Sequence, residues 1–158
     1  MIKKLLILMT FLVLTSCAKK EPTIEDMILK YSHQYKVSPI LVKAVVDVES
    51  RYNPYAIEKC EKGDKHCLKN PSIGLMQVKY TTAQSMNFNG SIFSLLDPDT
   101  NIKLGVQYIA KCLKWSKGNV NRALVMYNQG PGRAQGCQNW NDHDYVRKVN
   151  SFIEGKRI

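Results

Sequence analysis

The sequence predicts an all-α fold, and three observations carry that prediction. Apolar residues recur at helical spacing over most of the chain after residue 24. Helix start and stop signals bracket each run. No two stretches alternate apolar and polar residues as a pair of strands would. A small irregular β element near Gln77 is the most that the pattern admits. At 158 residues, 44% hydrophobic and 23% charged, the chain can fill one core, and residues 24–158 read as one domain.

The residues ahead of that domain read as an export signal. Lys3 and Lys4 precede an apolar run from Leu5 to Leu14, which is shorter than the roughly 20 residues that cross a membrane, so residues 1–16 have the plan of a signal peptide. Leu14-Thr15-Ser16-Cys17 resembles the bacterial lipobox. That resemblance implies cleavage before Cys17 and lipidation of Cys17. With Ala18 rather than Asp next, it implies an outer-membrane lipoprotein facing the periplasm of a Gram-negative cell. A plain secreted protein is the other reading. The rest of 17–23 is a short polar tether.

The domain opens with Ile24, Met27, Ile28, Tyr31 and Tyr35 at helical spacing, a packing helix that ends before Ser38. Ser38-Pro39 is a helix start, with proline at the first helical position. Ile40, Leu41, Val42, Ala44, Val45, Val46 and Val48 then make the second helix apolar on most sides, and Asn53-Pro54 stops it. Cys60 to Cys67 encloses a charged loop. Gly74-Leu75-Met76-Gln77-Val78 is apolar but for one amide, and helical signals resume at Thr81. Asp97-Pro98-Asp99-Thr100 opens the longest helix, where Ile102, Val106, Ile109 and Leu113 have Leu104, Tyr108, Cys112 and Trp115 beside them. That breadth predicts a central position. After a turn at Lys117-Gly118-Asn119 a short helix runs through Val120, Ala123, Leu124 and Tyr127. Asn128-Gln129-Gly130-Pro131-Gly132 stops it, with Asn128 a candidate cap. Asp142 to Phe152 forms the last helix, striped by Tyr145, Val146, Val149 and Phe152.

Glu49 stands out. The last turn of a buried helix carries it to the edge of the core, near the negative end of the helix dipole, where desolvation and dipole both disfavour the ionised form. A carboxyl that keeps its proton near neutral pH is the general acid that glycosidic-bond cleavage needs. Read alone, Glu49 is more simply an ordinary solvated residue at a helix end.

Charge and cysteines narrow the setting. Without the two leader lysines, 21 basic residues face 13 acidic ones, a net +8. That favours an anionic partner: nucleic acid, an acidic membrane surface, or a polymer bearing carboxylates such as the peptide stems of bacterial cell wall. The positive charge is scattered and accompanies no nucleic-acid motif, so nucleic acid is not expected. With Cys17 lipidated, Cys60, Cys67, Cys112 and Cys137 remain, an even number that implies two disulfides in an oxidising compartment. Three connectivities exist. Cys60 with Cys67 and Cys112 with Cys137 is preferred, because the second bridge would tie the central helix to the segment after Tyr127-Asn128. A metal site at Cys60, His66 and Cys67 lacks a fourth ligand, so neither metal nor cofactor is expected.

Five blocks then occur in order: Glu49-Ser50, Gly74-Leu75-Met76-Gln77, Asn101-Ile102 with Gly105 and Tyr108, Tyr127-Asn128-Gln129-Gly130, and Tyr145-Val146. In these the chain resembles the soluble-lytic-transglycosylase family, lysozyme-like enzymes that cleave peptidoglycan. The likeness spans about residues 25–152. It implies an α-helical domain with a groove for a glycan strand, acting as a monomer without cofactor. It further implies Glu49 as sole catalytic acid and base, with substrate contacts from Ser50, Met76, Gln77, Tyr127, Asn128 and Tyr145. Met76 and Tyr127 also read as core residues. Lys79-Tyr80, Met126 and the Cys60 to Cys67 loop depart from the family's usual pattern.

Ordinary glycosidases use two carboxylates, and none of these blocks supplies a second. A single carboxyl suits a reaction without activated water, in which the muramic acid 6-hydroxyl closes on carbon 1 and leaves a 1,6-anhydro end. Two other readings remain: a lysozyme-type hydrolase helped by Asp47, Asp97 or Asp99, and a non-catalytic wall-binding lipoprotein of a secretion apparatus.

Overall fold

The computed structural model describes residues 20–137 and 139–155; the proposed leader, Cys17 and most of the tether lie outside them. Among the described residues eight α-helices pack around one core. Helix α1 (Ile24–Tyr35) begins with a capping box: the Thr23 hydroxyl accepts from Asp26 N–H, and the Asp26 carboxylate accepts from Thr23 N–H at 2.9 Å. Helix α2 (Pro39–Ser50) buries Leu41, Val42, Ala44, Val45 and Val46. It ends where Arg51 and Tyr52 both take left-handed backbone (φ 52° and 61°), two residues ahead of the expected Asn53-Pro54 stop. These two turns drive the chain sharply away from Glu49.

The loop that follows is more ordered than its charge predicts. Cys60 and Cys67 are disulfide-bonded, and a helical turn, α3 (Lys65–Lys69), starts inside the loop with the Asp64 carboxylate capping His66 and Cys67 N–H at 3.0 and 2.9 Å. Strands β1 (Ser72–Ile73) and β2 (Val78–Lys79) pair antiparallel, and Ile57 bridges onto Ile73. This is the small β element expected near Gln77. Helix α4 (Tyr80–Gln84) and a 3₁₀ turn (Ile92–Leu96) lead into α5 (Pro98–Trp115), whose first turn is capped by Asp97 on Thr100 N–H at 2.8 Å.

Helix α5 is the axis of the domain. It buries Ile102, Leu104, Val106, Ile109 and Cys112, with α1 packed on one flank and α6 (Val120–Gln129) on another. A short α7 (Pro131–Ala134) follows directly, where the sequence suggested only a stop. The cap of α6 is Gly130, at φ 83°, and not Asn128. Helix α8 (Asp144–Ile153) starts two residues later than expected, capped by His143, and lies against α2 and α6. That contact joins the second helix to the last. Among the described residues no helix is long and apolar enough to cross a membrane.

One expected bridge is not made. Cys112 and Cys137 are free thiols: Cys112 faces inward from α5 and is fully buried near the Tyr108 hydroxyl, while Cys137 packs against the core from beyond α7. Helix packing and side-chain hydrogen bonds, among them Asn121 to Asn141 and Gln129 to His143, each at 2.7 Å, hold the segment after Tyr127.

Candidate active site

Because α2 is buried along most of its length, its last turn sets Glu49, half-buried, at the edge of the core. Burial raises its carboxyl from 4.5 to about 7; a hydrogen bond from Tyr145 partly offsets this, and the negative charge of Glu58 adds to the rise. The Tyr145 hydroxyl, from the first turn of α8, donates to Glu49 Oε1 at 2.6 Å. Ninety-six positions separate the two in sequence, and only the α2–α8 packing joins them.

The turn between β1 and β2 is built around one buried amide. Asn101 on α5 donates to the Ile73 and Leu95 carbonyls at 2.8 and 2.7 Å and accepts from Met76 N–H at 2.8 Å. Gly74 takes φ 78° there and packs so closely on Asn101 that a Cβ would collide with it. Met76 enters a notch left by Gly105 on α5, where a Cβ would likewise strike the methionine side chain. The Ser50 hydroxyl donates to the Leu75 carbonyl at 2.8 Å, with the Val46 carbonyl at 3.2 Å, and so ties the end of α2 to this turn. The Tyr127 hydroxyl donates to the Met76 carbonyl at 2.7 Å, and its ring lies 5.5 Å from that of Tyr108.

A cleft of about 680 Å³ opens over this framework; of the residues named from the sequence, Glu49, Gln77, Tyr127 and Asn128 line it. The other expected contacts lie elsewhere. Met76 is wholly buried and cannot reach a ligand; its side chain fills the core, and its backbone holds Tyr127. Ser50 and Tyr145 are absent from the cleft lining because their hydroxyls are turned inward, onto the Leu75 carbonyl and Glu49. Gln77 lies at the cleft in left-handed backbone (φ 46°), but its amide nitrogen donates to the Ala56 and Gly74 carbonyls at 3.1 and 2.9 Å. Its carbonyl oxygen is the part left for a ligand.

The cleft also contains residues that sequence reasoning missed: Glu58, Lys79 and Arg133. Glu58 follows Pro54 in a stretch without periodicity, and it reaches the cleft only because Ile57 bridges to β1. No sequence signal marks it. Partial burial raises the Glu58 carboxyl, but the Ser72 N–H and hydroxyl, both at 2.9 Å, and Lys79 at 3.3 Å outweigh burial and hold it below its ordinary value. Of the acids named above as helpers, Asp97 caps α5, and Asp99 accepts from Tyr31 at 2.5 Å and Lys30 at 3.0 Å. Neither they nor Asp47 line the cleft. The Cys60–Cys67 disulfide removes both thiols from metal binding, and no cluster of three or more candidate ligands occurs among the described residues.

Residues 26–152 match the family described as the transglycosylase SLT domain. Membrane-bound lytic murein transglycosylase E of Buchnera aphidicola (subsp. Acyrthosiphon pisum) is 38% identical over 109 residues, covering 65% of this chain and 45% of that protein. Membrane-bound lytic murein transglycosylase C of Edwardsiella ictaluri is 29% identical over 121 residues, 68% of this chain and 31% of that protein. The chain thus spans less than half the length of either relative. Among solved structures, an inactive glutamate-to-glutamine mutant of the lytic transglycosylase Slt of Pseudomonas aeruginosa superposes with a TM-score of 0.63 at 21% identity, over 84% of this chain and 24% of that one. The 70-kDa soluble lytic transglycosylase of Escherichia coli does so at 0.59 and 23%, over 81% and 20%. At these identities the structures establish a shared fold.

Proposed function

The chain belongs to the transglycosylase SLT domain family, and on that premise we propose that it is a peptidoglycan lytic transglycosylase of the bacterial cell envelope. It cleaves the β-1,4 bond between N-acetylmuramic acid and N-acetylglucosamine and leaves 1,6-anhydromuramic ends. The observation that carries the reading is Glu49, a carboxyl lifted to about 7 in the lining of a cleft of about 680 Å³.

Protonated Glu49 donates to the glycosidic oxygen, and the bond from that oxygen to carbon 1 of the muramic acid breaks as the N-acetylglucosamine hydroxyl leaves. Glu49, now a carboxylate, removes the proton from the muramic acid 6-hydroxyl. That oxygen bonds to carbon 1, Glu49 regains its proton, and no water is consumed. Tyr145 aims the carboxyl. Gln77 Oε1 and the Asn128 side chain, which makes no hydrogen bond among the described residues, offer polar contacts to the strand, while Ser50, Met76 and Tyr127 fix the shape of the wall. Residues 1–16 serve as leader and Cys17 as lipid anchor, with the domain from residue 24 standing off an outer membrane on its periplasmic side. The names of the membrane-bound relatives support an envelope location.

Digestion of purified peptidoglycan, with mass spectrometry of the new chain ends, tests the reaction. The native protein is expected to release anhydro ends, one water lighter than hydrolysed ones, and Glu49→Gln to release none. Reducing ends from the native protein would establish hydrolysis instead. Binding without cleavage would leave a wall-anchoring protein.

A further inference from the structure

When a glycosidic bond breaks with protonation of the leaving oxygen, positive charge develops on the sugar ring, and an anion fixed nearby stabilises it. Glu58 shares the cleft with Glu49. Its Oε2 is gripped by three donors: Ser72 N–H and the Ser72 hydroxyl, each at 2.9 Å, and the Lys79 ammonium at 3.3 Å. Oε1 makes no hydrogen bond among the described residues. Glu49, by contrast, accepts one bond from a neutral phenol. Environments this different divide the labour between two carboxyls, one a proton donor and the other a fixed negative charge.

Building on the transglycosylase reading above, we propose that Glu58 is the anionic partner of Glu49: its charge stabilises the cationic sugar ring in the transition state. The same charge favours the protonated form of Glu49. The other ionisable groups around Glu49 do not compete for this role. Tyr145 from α8, Tyr127 from α6 and Tyr108 from α5 are phenols that burial keeps neutral. Lys79 from β2 and Arg133 from α7 are cations. Glu58 is therefore the one other carboxylate among the described residues that line the cleft. It takes no proton and forms no bond, so the balance of the reaction is unchanged.

The test is a pH–rate profile of the native protein and Glu58→Gln on soluble, uncrosslinked peptidoglycan strands. The variant is expected to lose about tenfold in kcat with KM little changed. The basic limb of its profile should move down by roughly half to one pH unit, the effect of removing a like charge from a shared cleft. A limb that stays in place, or a loss confined to KM, overturns the proposal. Should Glu58→Gln fail to fold, Lys79→Met leaves the Glu58 charge without its cation, and the limb should move up; an unmoved limb there overturns it equally. Native protein that releases reducing ends would refute the transglycosylase reading, while the position of the limb would still decide the role of Glu58.

Discussion

The carboxyl at the end of α2 weakens the fold as pH rises above 4.5, and Glu49→Gln measures by how much. Burial lifts that carboxyl from 4.5 to about 7. Below pH 4.5 it is protonated in both folded and unfolded chains and has no effect on stability. Between 4.5 and about 7 the unfolded chain releases the proton while the folded chain retains it, so stability falls as pH rises, and above 7 the loss is complete. At about 1.4 kcal/mol per pH unit, the window amounts to about 3 kcal/mol. Glutamine does not titrate, and its carbonyl can still accept the Tyr145 hydroxyl, so the variant escapes the loss. Native protein and Glu49→Gln should differ little relative to each other near pH 4. By pH 8 the variant should have gained about 3 kcal/mol, or roughly 10 °C in Tm for a domain of this size. Urea unfolding of both proteins in steps from pH 4 to 9 reads this directly. A difference that stays constant across the range would show that Glu49 is solvated, and the argument for a protonated acid would fall with it.

Two further outcomes follow from the hydrogen bonds of the site. Tyr145→Phe removes the donor that favours the charged form of Glu49. The basic limb of the pH–rate profile should therefore rise by about one unit while kcat falls about tenfold, and a limb that moved down would contradict the geometry. Asn101→Ala would leave Met76 N–H and two carbonyls buried without partners. It should cost about 3 to 5 kcal/mol in urea unfolding at pH 6, and a cost below about 1 kcal/mol would mean that the turn does not depend on this amide.

Much of the molecule was legible because local chemistry decided it. Pro39 at a helix start, the unbroken apolar surface of α2, and Asp97-Pro98 ahead of α5 dictate helices whatever surrounds them, and a buried helix that ends in an acid already marks Glu49. Side-chain direction was not legible. Met76 and Gln77 are neighbours in one short run, yet the Gly74 turn sends Met76 into the Gly105 notch and Gln77 to the cleft. Ser50 and Tyr145 stand in the motifs, but which way their hydroxyls turn depends on the Leu75 carbonyl and on the docking of α8. The free Cys112 shows the same limit, since an even cysteine count fixes what could pair and not what lies within reach. Glu58 is the extreme case. By itself the sequence determined the long helices and their order, because periodicity and capping act within a few residues, but not the short α3 and α7. The tertiary structure alone decided the second carboxylate, since a bridge between Ile57 and Ile73 and a clamp from Ser72 and Lys79 join parts of the chain that no local pattern connects.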